Sequence, residues 1–118
     1  MRYMLLISMN PATWETLSEE EQNTVFRGHE EFQQTTKASG EFVGTEALAD
    51  PANSATVRVR GGVATATDGP YVASQEFFCG YYIVDCASKE RAIELAALVP
   101  DAQYTAIEVR PFITPDAA

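Results

Sequence analysis

Phe77-Phe78-Cys79-Gly80-Tyr81-Tyr82-Ile83-Val84-Asp85 is the strongest aromatic and β-branched run in the chain. Such residues suit a pleated, half-buried surface, so the run predicts a strand over 77–85. Just beyond it, Ser88 can cap a helix over 89–99, with Ala92, Ile93, Ala96 and Val99 on its inner face. Pro100 ends that helix, because the residue before a proline disfavours helical geometry. The alternating segment 104–110 then reads as the last strand. Upstream, Gly61-Gly62 is a two-residue hairpin signal between strands at 55–60 and 63–67, and Asp68-Gly69-Pro70 ends the hairpin. Residues 41–49 predict another strand, ended by Asp50-Pro51. Ser18 and Glu21 form a capping box for a helix over 19–38. That helix carries Val25, Phe26, His29, Phe32 and Gln33 on one stripe, and Gly40 closes it. Residues 2–8 are apolar throughout and read as a buried central strand, followed by a break at Asn10-Pro11 where Trp14 and Leu17 can pack under the helix.

The order is therefore β-α-β-hairpin-β-α-β. It specifies an α+β fold, ferredoxin-like βαββαβ with an extra β-hairpin, in which a mainly antiparallel sheet carries its helices on one face. Two helices cover only one side of a sheet whose other side also carries Tyr, Phe and Val. A second copy is the simplest cover, so a homodimer with sheets packed face to face is expected.

A length of 118 residues suits a single domain over 1–118. With 17 acidic against 8 basic residues, the net charge is −9, which repels phosphate backbones and anionic lipid. Direct nucleic-acid or membrane partners are not expected. No apolar stretch approaches the roughly 20 residues of a membrane-spanning helix, and the short apolar start reads as a strand and not as a signal peptide. The cytoplasm is the expected compartment. Cys79 and Cys86 sit seven apart in an extended segment, on the order of 23 Å, too far to pair with each other. Neither has a neighbour at metal-ligand spacing, and no phosphate-loop, dinucleotide or zinc-protease motif occurs, so no cofactor is expected. The tail, 115–118, is expected to fray.

Thr67-Asp68-Gly69-Pro70-Tyr71-Val72-Ala73 resembles the signature of the YCII-related proteins of the DGPF type, which reads roughly Thr-Asp-Gly-Pro-Phe-Ala-Glu. Four further pieces follow the family's order: Arg2-Tyr3-Met4-Leu5-Leu6-Ile7, Thr56-Val57-Arg58-Val59-Arg60, Gly80-Tyr81-Tyr82-Ile83-Val84-Asp85 and Ile107-Glu108-Val109-Arg110-Pro111. The similarity spans residues 2–112. Tyr71-Val72 replaces the family's Phe-Ala, and Ser74-Gln75 stands near its usual acidic and Lys positions. The resemblance implies a dimeric α/β barrel. It also implies two functional leads: a His–Asp pair connected with enzymatic work in related YCII proteins, and a link to extracytoplasmic-function sigma factors, beside which some DGPF-type proteins are encoded.

His29 is the only histidine, and its ring suits acid–base work near neutral pH. It lies eleven residues before Gly40, the His-to-Gly spacing of the YCII pattern. Glu41 or Asp68 could hold the imidazole in one tautomer. The competing reading is a core histidine bonded to backbone. Asp68 is either a carboxylate at a cavity rim or a turn residue accepting backbone N–H bonds. Tyr3, Tyr71 and Tyr81, with Tyr82, either line a pocket or pack the core and dimer. Tyr81 and Tyr82 point to opposite faces, so at most one of them meets a given cavity. Arg58 and Arg60 share a strand face, available for a carboxylate ligand or simply exposed. Three functions remain open: a proton-transfer enzyme acting on a small organic molecule with His29 as acid/base, a ligand-binding or regulatory accessory protein without catalysis, and a dimer whose polar residues are all structural.

Overall fold

The structure, a computed structural model, describes residues 1–113; the tail, 115–118, lies outside them. Its strands are β1 (Arg2–Met9), β2 (Phe42–Ala47), β3 (Ala55–Arg60), β4 (Val63–Asp68), β5 (Phe77–Asp85) and β6 (Ile107–Pro111). Its helices are α1 (Pro11–Thr16), α2 (Glu19–Ser39) and α3 (Lys89–Ala97), with 3₁₀ turns at Pro51–Asn53 and Pro100–Gln103.

The four-stranded sheet runs β2-β5-β1-β6, and every neighbouring pair is antiparallel. β1 and β2 are thus separated by β5 and joined through α2, the split arrangement of a ferredoxin-like fold. β3 and β4 form a separate two-stranded hairpin. Alternation along β1 sends Tyr3, Leu5 and Ile7 to one face, and β5 adds Tyr82 and Val84. Phe32 of α2 and Ala92, Leu95 and Ala96 of α3 close over them, with Val99 just beyond. Each large apolar side chain buried in this way contributes about 1.5–3 kcal/mol, so the stability of the chain resides on the helix side.

The 77–85 strand and the capping box at Ser18 stand as the sequence predicts. Four readings need correction. Asn10-Pro11 begins α1 and not a plain break: the Asn10 side chain accepts from the Ala12 N–H, and proline suits the first helical position. Phe26 is 58% exposed and packs edge-on against Trp14, with ring centroids 5.6 Å apart, outside the core. Ile93 is 50% exposed and Leu95 takes the inward place, because 92, 95, 96 and 99 form the stripe. Residues 104–106 are not strand: the Asp101 carbonyl accepts from the N–H groups of Tyr104 and Thr105, extending the turn so that β6 starts only at Ile107.

The opposite sheet face carries Met4 beside Ile83 and Leu6 beside Tyr81, all partly exposed, with Glu46, Glu108 and Arg110 on the flanking strands. It is apolar along its centre and charged at its edges, and no element of the described chain covers it. The hairpin likewise leaves Val57, Val59 and Val63 exposed. The molecule is accordingly flat, 49 × 46 × 18 Å, with a radius of gyration of 16.6 Å. A compact chain of this length would reach about 13.5 Å. No helix among the described residues is long and apolar enough to cross a membrane.

Candidate functional site

On α2, buried Val25, Phe32 and Thr36 define an inward stripe, and His29 falls on it. One residue earlier, Gly28 lies so close to Pro100 that a β-carbon there would stand 2.9 Å from the proline Cβ and Cγ. This approach brings the 3₁₀ turn onto the helix and places Asp101 beside His29. The turn is anchored behind: the Thr105 hydroxyl donates to the Ser8 carbonyl of β1 at 2.6 Å. From the sheet, alternation along β5 aims Tyr82 at the same point. Its ring packs against Phe32 at a centroid distance of 4.4 Å and lies beside the imidazole, with centroids 5.8 Å apart and planes inclined by 29°.

The imidazole is bonded at both nitrogens. Nε2 is 2.6 Å from Asp101 Oδ1, and Nδ1 is 2.8 Å from the Tyr82 hydroxyl. With His29 neutral and Asp101 ionised, the roles follow from chemistry. An ionised carboxylate only accepts, so Nε2 donates to Asp101 and Nδ1 accepts from the Tyr82 O–H. The hydroxyl also lies 3.5 Å from the Gln33 side-chain amide, which donates to it. The side chains of His29 and Asp101 remain 24% and 15% exposed. Burial pushes the Tyr82 phenol above its ordinary range, and the charge of Asp101 adds to this. Tyr82 is therefore a donor that fixes the ring and not a source of phenolate. Together the three groups can hold a proton on the imidazole with a carboxylate counter-charge.

The expected partners of His29 lie elsewhere. Glu41 accepts two bonds from the Arg91 guanidinium, at 3.0 and 2.9 Å, and one from the Ser39 hydroxyl at 2.7 Å. The Arg91 bonds hold its carboxyl below the usual carboxylate range. Asp68 ends β4 on the exposed hairpin, and its carboxylate makes no hydrogen bond among the described residues. The turn after it is clasped by backbone instead. The Gly69 N–H donates to the Ser54 carbonyl at 2.7 Å, and the Gly69 carbonyl accepts from the Thr56 hydroxyl at 2.9 Å. Gly69 has φ +105°, which a side chain would strain.

The tyrosines separate in the same way. Tyr3 is buried in the core. Tyr71 is 76% exposed with Arg58 over its ring, and Tyr81 faces the uncovered side of the sheet. None of the three touches His29; Tyr82 does. Cys79 and Cys86 are free thiols, and burial pushes Cys79 up to about 11, far from a reactive thiolate. Among the described residues, no three His, Cys, Asp or Glu side chains converge to hold a metal ion.

Two concavities open on this part of the molecule. Asp101, Ser8 and Trp14 help line a small cleft of about 20 Å³, enough for about one water. A larger cleft of about 470 Å³ opens between the 48–54 loop, Pro70 and residues 72–78. None of His29, Tyr82 and Asp101 lines it.

The sequence reading missed Asp101, and it offered Tyr82 as a pocket or packing residue without pairing it with His29. For Tyr82 the signal was present, since it shares parity with Val84. For Asp101, which lies 72 residues from His29, no local spacing signals the meeting.

Comparison with known proteins agrees with the fold. The YCII-related domain family matches residues 1–114. An uncharacterized protein of Rhizobium meliloti (strain 1021) is 28% identical over 113 residues, covering 94% of this chain and 91% of the relative. A match over nearly the whole length, on a split β-α-β sheet of this order, shows that the chain belongs to the YCII-related family.

Proposed function

We propose that this protein transfers a proton on a small organic molecule, as in an isomerisation or elimination, using groups the chain itself supplies. His29 is the acid/base, and Asp101 is the carboxylate that positions it. The role the sequence suggested for Glu41 or Asp68 passes to Asp101. The observation that carries the reading is the imidazole held between a carboxylate at 2.6 Å and a phenol at 2.8 Å, with a quarter of its side chain exposed.

The working edge is the one toward Asp101. Tyr82 is locked in mid-strand within the core, whereas Asp101 sits on a four-residue turn and borders the small cleft. Once the turn carries Asp101 off Nε2 and the ring takes the tautomer that donates Nδ1–H to the Tyr82 oxygen, the bare Nε2 accepts the substrate proton, and the resulting imidazolium is stabilised by Asp101. The same pair then returns the proton at another atom of the substrate. Stabilising such an ion pair and holding the ring in place supports about 10²- to 10⁴-fold of general acid–base catalysis.

We further propose that the protein is a homodimer, its second copy covering the apolar centre of the open sheet face and the exposed valines of the hairpin. A free two-stranded hairpin is marginal in water, which supports this assembly. The Thr67–Ala73 stretch supports placement in the DGPF-type group.

The proton-transfer reading is tested by incubating the protein with a panel of enolisable keto acids and ketones in D₂O and following the α-proton signals by NMR. Wild-type protein accelerates exchange on at least one compound, and His29→Gln lowers that rate by at least about 100-fold. Asp101→Asn shifts the pH dependence of exchange as well as its rate. Exchange that persists unchanged in His29→Gln, or a panel on which the wild type does nothing, refutes the reading.

A further inference from the structure

We infer that the 470 Å³ cleft beside the Asp68-Gly69-Pro70 turn binds an organic cation, a protonated amine carrying an apolar body of about the size of an aromatic ring. The volume lies within the usual range for small-molecule sites, about 300–1,000 Å³. The inference is independent of the proton-transfer reading, because it rests on other residues.

The walls are built to stay in place. One is the 48–54 loop, fastened to β5 by the Leu48 N–H donating to the Cys79 carbonyl at 2.8 Å. Another is the turn ending in Pro70, clasped at Gly69 by Ser54 and Thr56. The floor is the end of the sheet, where Ser8 of β1 meets Phe77 and Phe78 of β5.

The lining decides the class of ligand. Its charged members are Asp50 and Glu76, and no Lys, Arg or His is among them. The Asp50 side chain accepts from the Ala52 N–H at 2.8 Å, which orients the carboxylate while leaving acceptor sites open. Glu76 makes no ion pair and its carboxylate no hydrogen bond among the described residues, so its charge is unanswered by the chain. An ammonium group answers it directly, with three donors for the carboxylates and for the Ser and Asn side chains around them. Phe77, Phe78, Leu48 and Val72 supply an apolar bed for the body of the ligand. A carboxylate or phosphate ligand meets two like charges here and a net charge of −9 on the whole chain.

The experiment is a titration of ¹⁵N-labelled full-length protein at low ionic strength, followed by amide chemical shifts. The probes are 2-phenylethylammonium and, as the size-matched anion, 3-phenylpropionate. The cation produces saturable shifts concentrated at residues 48–54 and 72–78, and the anion does not. Glu76→Gln and Asp50→Asn keep shape and cap, and each weakens binding by about fivefold at most, as exposed charge pairs do. Added salt weakens it further. His29→Gln leaves the affinity unchanged, which separates this site from the proton-transfer centre. The proposal is overturned if the cation does not saturate, if the anion binds equally well, if the shifts gather elsewhere, or if the double variant binds as the wild type does.

Discussion

Gly28→Ala is the sharpest probe of how the His29–Asp101 pair is built. In an open helix interior this change stabilises by about 1 kcal/mol, because glycine is the poorer helix former. Here the new methyl would stand 2.9 Å from both Cβ and Cγ of Pro100, well inside van der Waals contact. Overpacking of this kind costs about 1–3 kcal/mol. The net effect therefore runs from near zero to about 2 kcal/mol of destabilisation, or up to roughly 8 °C in Tm at about 4 °C per kcal/mol. Relief comes most readily by moving the four-residue turn, which carries Asp101 off the imidazole. Urea unfolding gives the stability, and long-range ¹⁵N spectra of the His29 ring report its bonds. The expected result is lost or neutral stability together with a weakened Nε2–H to Asp101 bond, seen as a shift in both ring nitrogens. A variant that gains about 1 kcal/mol with unchanged ring spectra would refute the argument that Gly28 sets this geometry.

Two other expectations follow. The folded pKa of Glu41 lies below its unfolded value because of the Arg91 bonds. Its contribution is thus fully present above the unfolded value of about 4.3 and is lost as pH falls through the folded one. Glu41→Gln should lower Tm by a few degrees at pH 7 and make no difference once the pH is below both values; an equal deficit at every pH would point to packing and not charge. The proposed assembly predicts a dimer mass in light scattering at micromolar protein. Leu6→Glu, on the open face and away from the core, should shift it to monomer with the helix content retained. A wild type already monomeric under those conditions excludes the pairing.

The parts of the fold legible in the sequence are those carried by local chemistry. Alternation in 77–85, the Ser18 capping box and the glycine-paired hairpin each act over a few residues, and each stands as read. Element ends were less legible where two local signals compete. Asn10-Pro11 suits a turn and a helix start equally, and the carbonyl of Asp101 recruits residues 104 and 105 that alternate like a strand. The site was half legible. His29 could be placed facing inward from its stripe, but its carboxylate could not, because residues adjacent in sequence to a helix cap or a hairpin attract attention out of proportion to where the chain returns. Glu41 is one residue beyond the helix cap Gly40 and is taken by Arg91; Asp68 is carried out on the hairpin.

One residue did record the missing contact. A glycine in the middle of a 21-residue helix is unfavourable by about 1 kcal/mol relative to alanine, and neither capping nor amphipathicity calls for it at position 28. Its presence beside an inward-facing histidine marks a place where another segment packs closely against the helix. The structure supplies that neighbour, the Pro100 ring of the Pro100–Gln103 turn, and with it the carboxylate. The physical logic is therefore reversed from the usual search for a partner by spacing. The helix gives up intrinsic stability at Gly28 so that a short turn can seat against it, and the side chain that follows the seated proline is Asp101, 2.6 Å from the imidazole.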